Sequence, residues 1–170
     1  MRVSVLGAGS FSGSWTVKAL VDNGYQVQAF IRSGSPDPQF TPFSEGVYDS
    51  VEWLKRDLNT AWPEIRDDLE HFSPDVVINF ISLGMVEESW GAPDAWFQTN
   101  TVATTRLIHW CSKNLDLKMF VHFSTPEVYG STLGCVDPSW HFNPSTPYAI
   151  SRAATDLFLR QMHREFDLPV

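Results

Sequence analysis

Apolar residues gather along this chain in short runs, separated by longer stretches whose apolar positions recur every three or four residues. The first run, RVSVLG (2–7), is continuous, as a strand buried on both faces requires. From about Phe11 to Asn23 the pattern turns helical, and Gly24 supplies the stop. YQVQAFI (25–31) reads as a second strand, and RSGSPDPQFTP (32–42), rich in Gly, Ser and Pro, as a loop. A weaker third strand is expected near Val51–Leu54, then a helix over roughly Thr60–His71. DVVINFI (75–81) and KMFVHFS (118–124) are further strands, with one long helix predicted between them over 93–114, where Pro93 suits the first turn. Pro147 opens a last helix reaching about 166. Continuous apolar strands separated by helices predict an α/β fold, a doubly wound parallel sheet of Rossmann type in three αβα layers. Leu168-Pro169-Val170 reads as the opening of a sixth strand. Residues 1–170 are therefore expected to be the nucleotide-binding domain of a longer protein whose substrate domain lies outside this sequence.

Composition narrows the picture. A net charge of −8 argues against a nucleic-acid partner, since phosphate binding needs a basic face. No apolar run approaches the roughly 18 residues that span a bilayer, so no membrane partner is expected. MRVSVLGAGS lacks the apolar core and cleavage site of a secretory signal. Cys111 and Cys135 form no metal or disulfide pattern, and a reducing cytoplasm is the expected setting. His71, His109, His141 and His163 show no metal spacing, and His122, on an apolar strand, reads as a packed core histidine. No metal site is expected. The tryptophans read as packing residues, with Trp90 closest to the expected mouth of the site, and no G-x-S-x-G elbow points to a serine hydrolase.

VLGAGSFSGS sits between the first strand and the first helix, where a dinucleotide pyrophosphate docks. Gly7, Gly9 and Gly13 permit a tight turn and close approach, with Ser10 and Phe11 between them. The spacing departs from both G-x-G-x-x-G and G-x-x-G-x-x-G, because Ser12 or Ser10 takes one glycine place. An NAD site usually ends its second strand on an acid that binds the adenosine ribose. This strand ends on Arg32 and Ser33, and a guanidinium attracts a 2′-phosphate that a carboxylate would repel, so NADP is favoured over NAD.

Six segments in order carry a family pattern: GAGSFSG, RDLN (56–59), VVINFIS (76–82), TNTVATTRL (99–107), STPEVYG (124–130) and PYAISRAATD (147–156). The chain resembles the extended short-chain dehydrogenase/reductases, specifically the nucleotide-sugar epimerases and dehydratases. STPEVYG is most similar to the sugar-nucleotide 4,6-dehydratases. By that resemblance Asp57 and Leu58 contact adenine, Phe80, Ile81 and Ser82 line the middle of the cofactor, and Asn100 braces the site. Thr125 is the hydroxyl partner of a catalytic Tyr148, and Arg152 stands where the family's Y-x-x-x-K has lysine, touching both cofactor and Tyr148. A nucleotide-diphosphate sugar as substrate and a homodimer through helices 93–114 and 147–166 follow from the same resemblance.

Tyr148 and Arg152, four apart on a helix, share one face. A phenol is ordinarily a poor base at neutral pH, and a nearby guanidinium with the helix N-terminus favours its anion. Tyr148 then accepts a sugar hydroxyl proton while Thr125 hydrogen-bonds the same oxygen. Glu127 separates the branches: a carboxylate able to remove the C5 proton after oxidation at C4 belongs to a dehydratase, whereas an epimerase or reductase needs none. Two departures weigh on this. Pro126 stands where the dTDP-glucose enzymes carry an acidic aspartate, and arginine, always protonated, cannot relay a proton as lysine can. Leu83 and Gly84 replace polar residues of relatives. A non-catalytic dinucleotide-binding protein is the third reading.

Overall fold

The computed structural model describes residues 1–32, 42 and 49–170. Five parallel strands lie in the order β3-β2-β1-β4-β5: β1 (Arg2–Leu6), β2 (Gln26–Ile31), β3 (Glu52–Lys55), β4 (Val76–Asn79) and β5 (Met119–His122). The central strand, β1, is flanked by β2 and β4, with Val5 opposite Ala29 on one side and Ile78 on the other. Its side chains alternate between two cores, as the strand period of two requires. Val3 and Val5 meet Val17 of helix α1 (Phe11–Asp22) on one face. Leu6 joins Ile65 of α2 (Trp62–Phe72) and Leu107 and Ile108 on the other. The doubly wound sheet read from the apolar runs is therefore present.

Three elements differ from the sequence reading. The third strand begins one residue late, at Glu52, where its pairing with β2 starts opposite Gln28. A short helix, α3 (Glu88–Gly91), precedes the long helical stretch. That stretch is not one α-helix. It runs as α4 (Pro93–Trp96), a π-helical segment (Phe97–Ala103) and α5 (Thr104–Asn114). The last helix, α6 (Pro147–Phe166), has the predicted limits; past its end the Phe120 amide donates to the Pro169 carbonyl at 2.7 Å, a single bond beside β5, and residues 167–170 form no sixth strand. The strand order reverses at β1, with β2 and β3 laid to one side and β4 and β5 to the other, so the crevice beyond the carboxyl ends of β1 and β4 is where an open α/β sheet binds ligands.

Candidate active site

The glycine turn is built from two glycines and one serine. Gly7 has φ +77°, and a Cβ there would lie 2.9 Å from the Ile81 nitrogen. A Cβ at Gly13 would lie 2.4 Å from the Gly7 oxygen. Neither position admits a side chain. Gly9 differs: its added Cβ would make only ordinary contact, 3.5 Å from Ile31, so its glycine is not sterically required. Ser10, which takes a glycine place in the motif, has ordinary extended backbone and caps α1, accepting from the Gly13 amide at 3.1 Å and donating to the Gly7 carbonyl at 2.8 Å. The irregular motif thus makes a regular turn.

A cleft of about 340 Å³ crosses the carboxyl ends of β2, β1 and β4. Arg32, Asp57 and Leu58 line one end, Gly7, Gly9 and Ser10 its middle, and Phe80, Ile81 and Ser82 the other. These are nine of the residues expected to hold a cofactor. Phe11, largely exposed at the start of α1, and Gly13 do not line it, and Ser33 lies outside the described residues. The cleft also takes in Arg56, Asn59, Thr99, Leu83 and Gly84. Arg56 and Asn59 flank Asp57-Leu58 within RDLN, and that proximity was the available signal. Arg56 is held by Asp68, Nε to Oδ2 at 2.8 Å, and Asn59 donates to the Thr99 hydroxyl at 3.0 Å. A turn that demands glycine at positions 7 and 13, a helix N-terminus above it and a cleft along the strand ends together suit a dinucleotide.

None of the expected catalytic residues lines this cleft, and of them Arg152 alone is seen bonded to a residue that does, at the Ile81 carbonyl. Thr125, at the exit of β5, caps a 3₁₀ turn (Pro126–Tyr129) and accepts from the Glu127 amide at 3.3 Å. Glu127 therefore sits in a helical turn, not on a strand end, because Pro126 opens that turn. The turn packs on α6. Thr125 faces a second cavity of about 800 Å³, which it shares with Ser124, Tyr129, Trp140 and Asp156. Tyr148 occupies the first turn of α6, behind its cap Thr146, and its amide donates to the Ser89 hydroxyl at 3.2 Å. Trp90 beside that serine is 65% exposed.

Arg152 is the least expected. It is 2% exposed, and its guanidinium donates to the Ile81 carbonyl at 3.4 Å and, closely, to the Phe123 carbonyl, tying the exits of β4 and β5 together. Burial lowers its pKa, opposed by Tyr148 and Asp156. Asp156, one turn along α6, accepts from the Ser124 hydroxyl. Burial raises its carboxyl above the usual range, while Ser124 and Arg152 pull it back. His122 completes a polar layer. Asn79 accepts from the Ile81 amide at 3.0 Å, so its NH₂ faces the His122 Nδ1 at 3.2 Å. The histidine then carries its proton on Nε2, which lies 3.8 Å from Asp156. Burial, and after it the charge of Arg152, push His122 down to about 3, so it is neutral, as a packed core histidine should be. Asn100, fully buried, accepts from the Leu83 amide at 2.8 Å and donates to the Ser151 hydroxyl at 3.0 Å. Among the described residues no group of His, Cys, Asp or Glu is placed to hold a metal.

The sequence profile of the NAD dependent epimerase/dehydratase family matches residues 3–170. The chain belongs to that family. It is 36% identical over 186 residues to a dTDP-glucose 4,6-dehydratase of Streptomyces niveus, covering 100% of this chain and 52% of that protein. It is 32% identical over 177 residues to a dTDP-glucose 4,6-dehydratase of Xanthomonas campestris pv. campestris (strain B100), covering 96% of this chain and 49% of the relative. The solved UDP-glucose 4-epimerase of Thermus thermophilus, a complex with NAD, superposes with a TM-score of 0.86 at 24% identity, over 99% of this chain and 52% of that one. The chain spans about half the length of the relatives it matches. The family resemblance read from the six segments is thereby established, and with it an enzyme family built on a nicotinamide cofactor. No helix among the described residues is long and apolar enough to cross a membrane.

Proposed function

We propose that this chain is the cofactor-binding and tyrosine-bearing part of an NAD(P)-dependent nucleotide-sugar dehydratase. The observation that carries the reading is the STPEVYG turn, which holds Thr125 and Glu127 at the exit of β5 and packs on the helix bearing Tyr148. The dehydratase names of the relatives support it. The bound nicotinamide supplies the hydride acceptor and donor. Tyr148 takes the proton of the sugar C4 hydroxyl, and Thr125 donates a hydrogen bond to the same oxygen. Glu127 removes the proton that oxidation acidifies at C5, and the C6 hydroxyl departs. Pro126 has no proton to give that leaving oxygen, so another group must. This favours, as a second reading, an epimerase or reductase, which needs no such acid. The commitment of Arg152 to backbone carbonyls favours the third, dinucleotide binding without turnover.

In the full-length protein, Glu127→Gln is expected to abolish elimination while C4 oxidation continues. Unchanged elimination removes the dehydratase reading. Arg32 and Arg56 at the adenine end of the cleft support NADP over NAD, although the family's name and the NAD in the Thermus complex point the other way. Calorimetric titration of this chain with each cofactor decides it: tighter NADP⁺ binding that Arg32→Ala abolishes supports the arginine, and tighter NAD⁺ binding refutes it. Two free cysteines suit a cytoplasmic setting. Exposed Val102, Ile150 and Leu157 on the two long helical stretches suit a homodimer.

A further inference from the structure

Asp156 is a buried carboxylate that the catalytic reading does not use. It is 7% exposed and lies on α6, one turn past Arg152 and two past Tyr148. Positions 148, 152 and 156 are four apart, so their side chains leave one stripe of the helix. Two members of that stripe hold consecutive residues at the exit of β5. Arg152 donates to the Phe123 carbonyl, and Asp156 accepts from the Ser124 hydroxyl. The next residue is Thr125, whose oxygen accepts from the Glu127 amide at 3.3 Å and opens the 3₁₀ turn that packs on α6. The two ties differ in kind. Arg152 grips backbone, and reaches the Ile81 carbonyl as well, so it joins two strand ends to the helix. Asp156 grips the side chain next to Thr125, and Ser124, Thr125 and Asp156 line the second cavity together. A carboxylate acceptor makes a strong, directional hydrogen bond, so it orients Ser124 and the backbone from which Thr125 rises.

We infer that Asp156 is a positioning residue: through Ser124 it fixes Thr125 to the helix that bears Tyr148. The consequence for catalysis rests on the proposed roles of Thr125 and Tyr148, whereas the placement of Thr125 does not. In that reading Thr125 presents its hydroxyl to the oxygen that Tyr148 deprotonates, and a displacement of about 1 Å costs on the order of a hundred-fold in rate. Asp156 itself touches neither substrate nor cofactor.

The test reads Thr125 directly. Three-bond couplings from its methyl carbon report the χ1 rotamer in the isotope-labelled 170-residue chain, in Asp156→Ala, in Ser124→Ala and in the double variant. One rotamer is expected in the parent and averaging in each single variant, with no further change in the double variant, because both lose the same bond. Ser124→Thr keeps a hydroxyl and is expected to keep the single rotamer. Ser124 is exposed at its strand end, so Ser124→Ala serves even where Asp156→Ala does not fold. In the full-length protein Ser124→Ala is expected to lower kcat roughly ten- to a hundred-fold with KM nearly unchanged, and Ser124→Thr to retain it. An unchanged rotamer in folded Ser124→Ala overturns the proposal, since the serine then holds nothing. Further averaging in the double variant also overturns it, since Asp156 then acts by another route. Averaging with an unchanged kcat overturns the positioning role, since Thr125 then needs no fixing. If the rotamer responds as expected but the full-length parent turns over none of a panel of nucleotide-diphosphate sugars, the catalytic reading falls and the placement of Thr125 stands.

Discussion

The polar layer under the site makes acid sensitivity a test of His122. Its side chain is 1% exposed and its pKa is pushed down to about 3 from the ordinary 6.5. Below about pH 6.5 the unfolded chain binds a proton at this imidazole, and the folded chain does not until about pH 3. The unfolded state therefore holds more protons through that window, and stability falls as pH falls. With those two values, acidifying from pH 6 to pH 4 costs about 2 kcal/mol from this one group. For a chain of this size that is a fall in Tm of roughly 4–8 °C. His122→Gln keeps a polar side chain and removes the titration. Urea denaturation of both proteins at pH 6 and pH 4 isolates the effect, because carboxylates common to both, Asp156 included, cancel to first order. The parent should lose about 2 kcal/mol more than the variant across that interval. Equal losses would show that His122 is protonated in the folded state, and the Asn79–His122–Asp156 arrangement would then be wrong.

Restoring the family's lysine is expected to harm this chain. Arg152→Lys replaces a planar fork held by two carbonyls with a single ammonium, leaving a buried acceptor short of its donor at a cost of about 1–3 kcal/mol. Unchanged stability in denaturant melts would mean that Arg152 ties nothing together. Gly130→Ala should destabilise by at least about 2 kcal/mol, since φ is +71° and the new Cβ would stand 2.2 Å from the Asn143 oxygen. Gly24→Ala, with φ +76° and open space around it, should cost only about 1 kcal/mol, and equal losses for the two would refute the steric account.

Much of the fold was legible because β1, β4 and β5 are short, mostly apolar runs in a parallel sheet, whereas β3, Glu-Trp-Leu-Lys at the sheet edge, gave the weaker signal. The limits of α6 were legible for a local reason: Thr146 caps the helix, accepting from the Ala149 amide at 3.1 Å, and Pro147 fits its first position. The π-helical segment was not legible. Its side chains keep a nearly helical period, and the extra residue per turn is fixed from outside, by Asn100 reaching Leu83 and Ser151 and by Thr101 donating to the Ser151 carbonyl at 2.9 Å. Contacts across 17 and 50 residues leave no mark in a local pattern.

At the site the same division holds. The cleft was legible because most of its residues follow strands, and the exit of a strand can be read from where its apolar run stops. What was not legible is how the charges behind it balance. The register of β4 on β5 sets Asn79 opposite His122, and only that pairing makes the histidine an acceptor on one side and a donor facing Asp156 on the other. Asp156 was within reach of the sequence, since it stands four residues after Arg152 in RAATD, the spacing at which helical side chains meet. Its value as a counter-charge emerges only once Arg152 is seen to be buried. Where the family has lysine, this chain lodges a buried guanidinium against two strand-end carbonyls, with a carboxylate one turn away. That answers the structural half of the departure from Y-x-x-x-K. The electrostatic half rests on the same positions: Tyr148 and Asp156 both oppose the fall that burial imposes on the guanidinium, and so help to keep the buried cation charged.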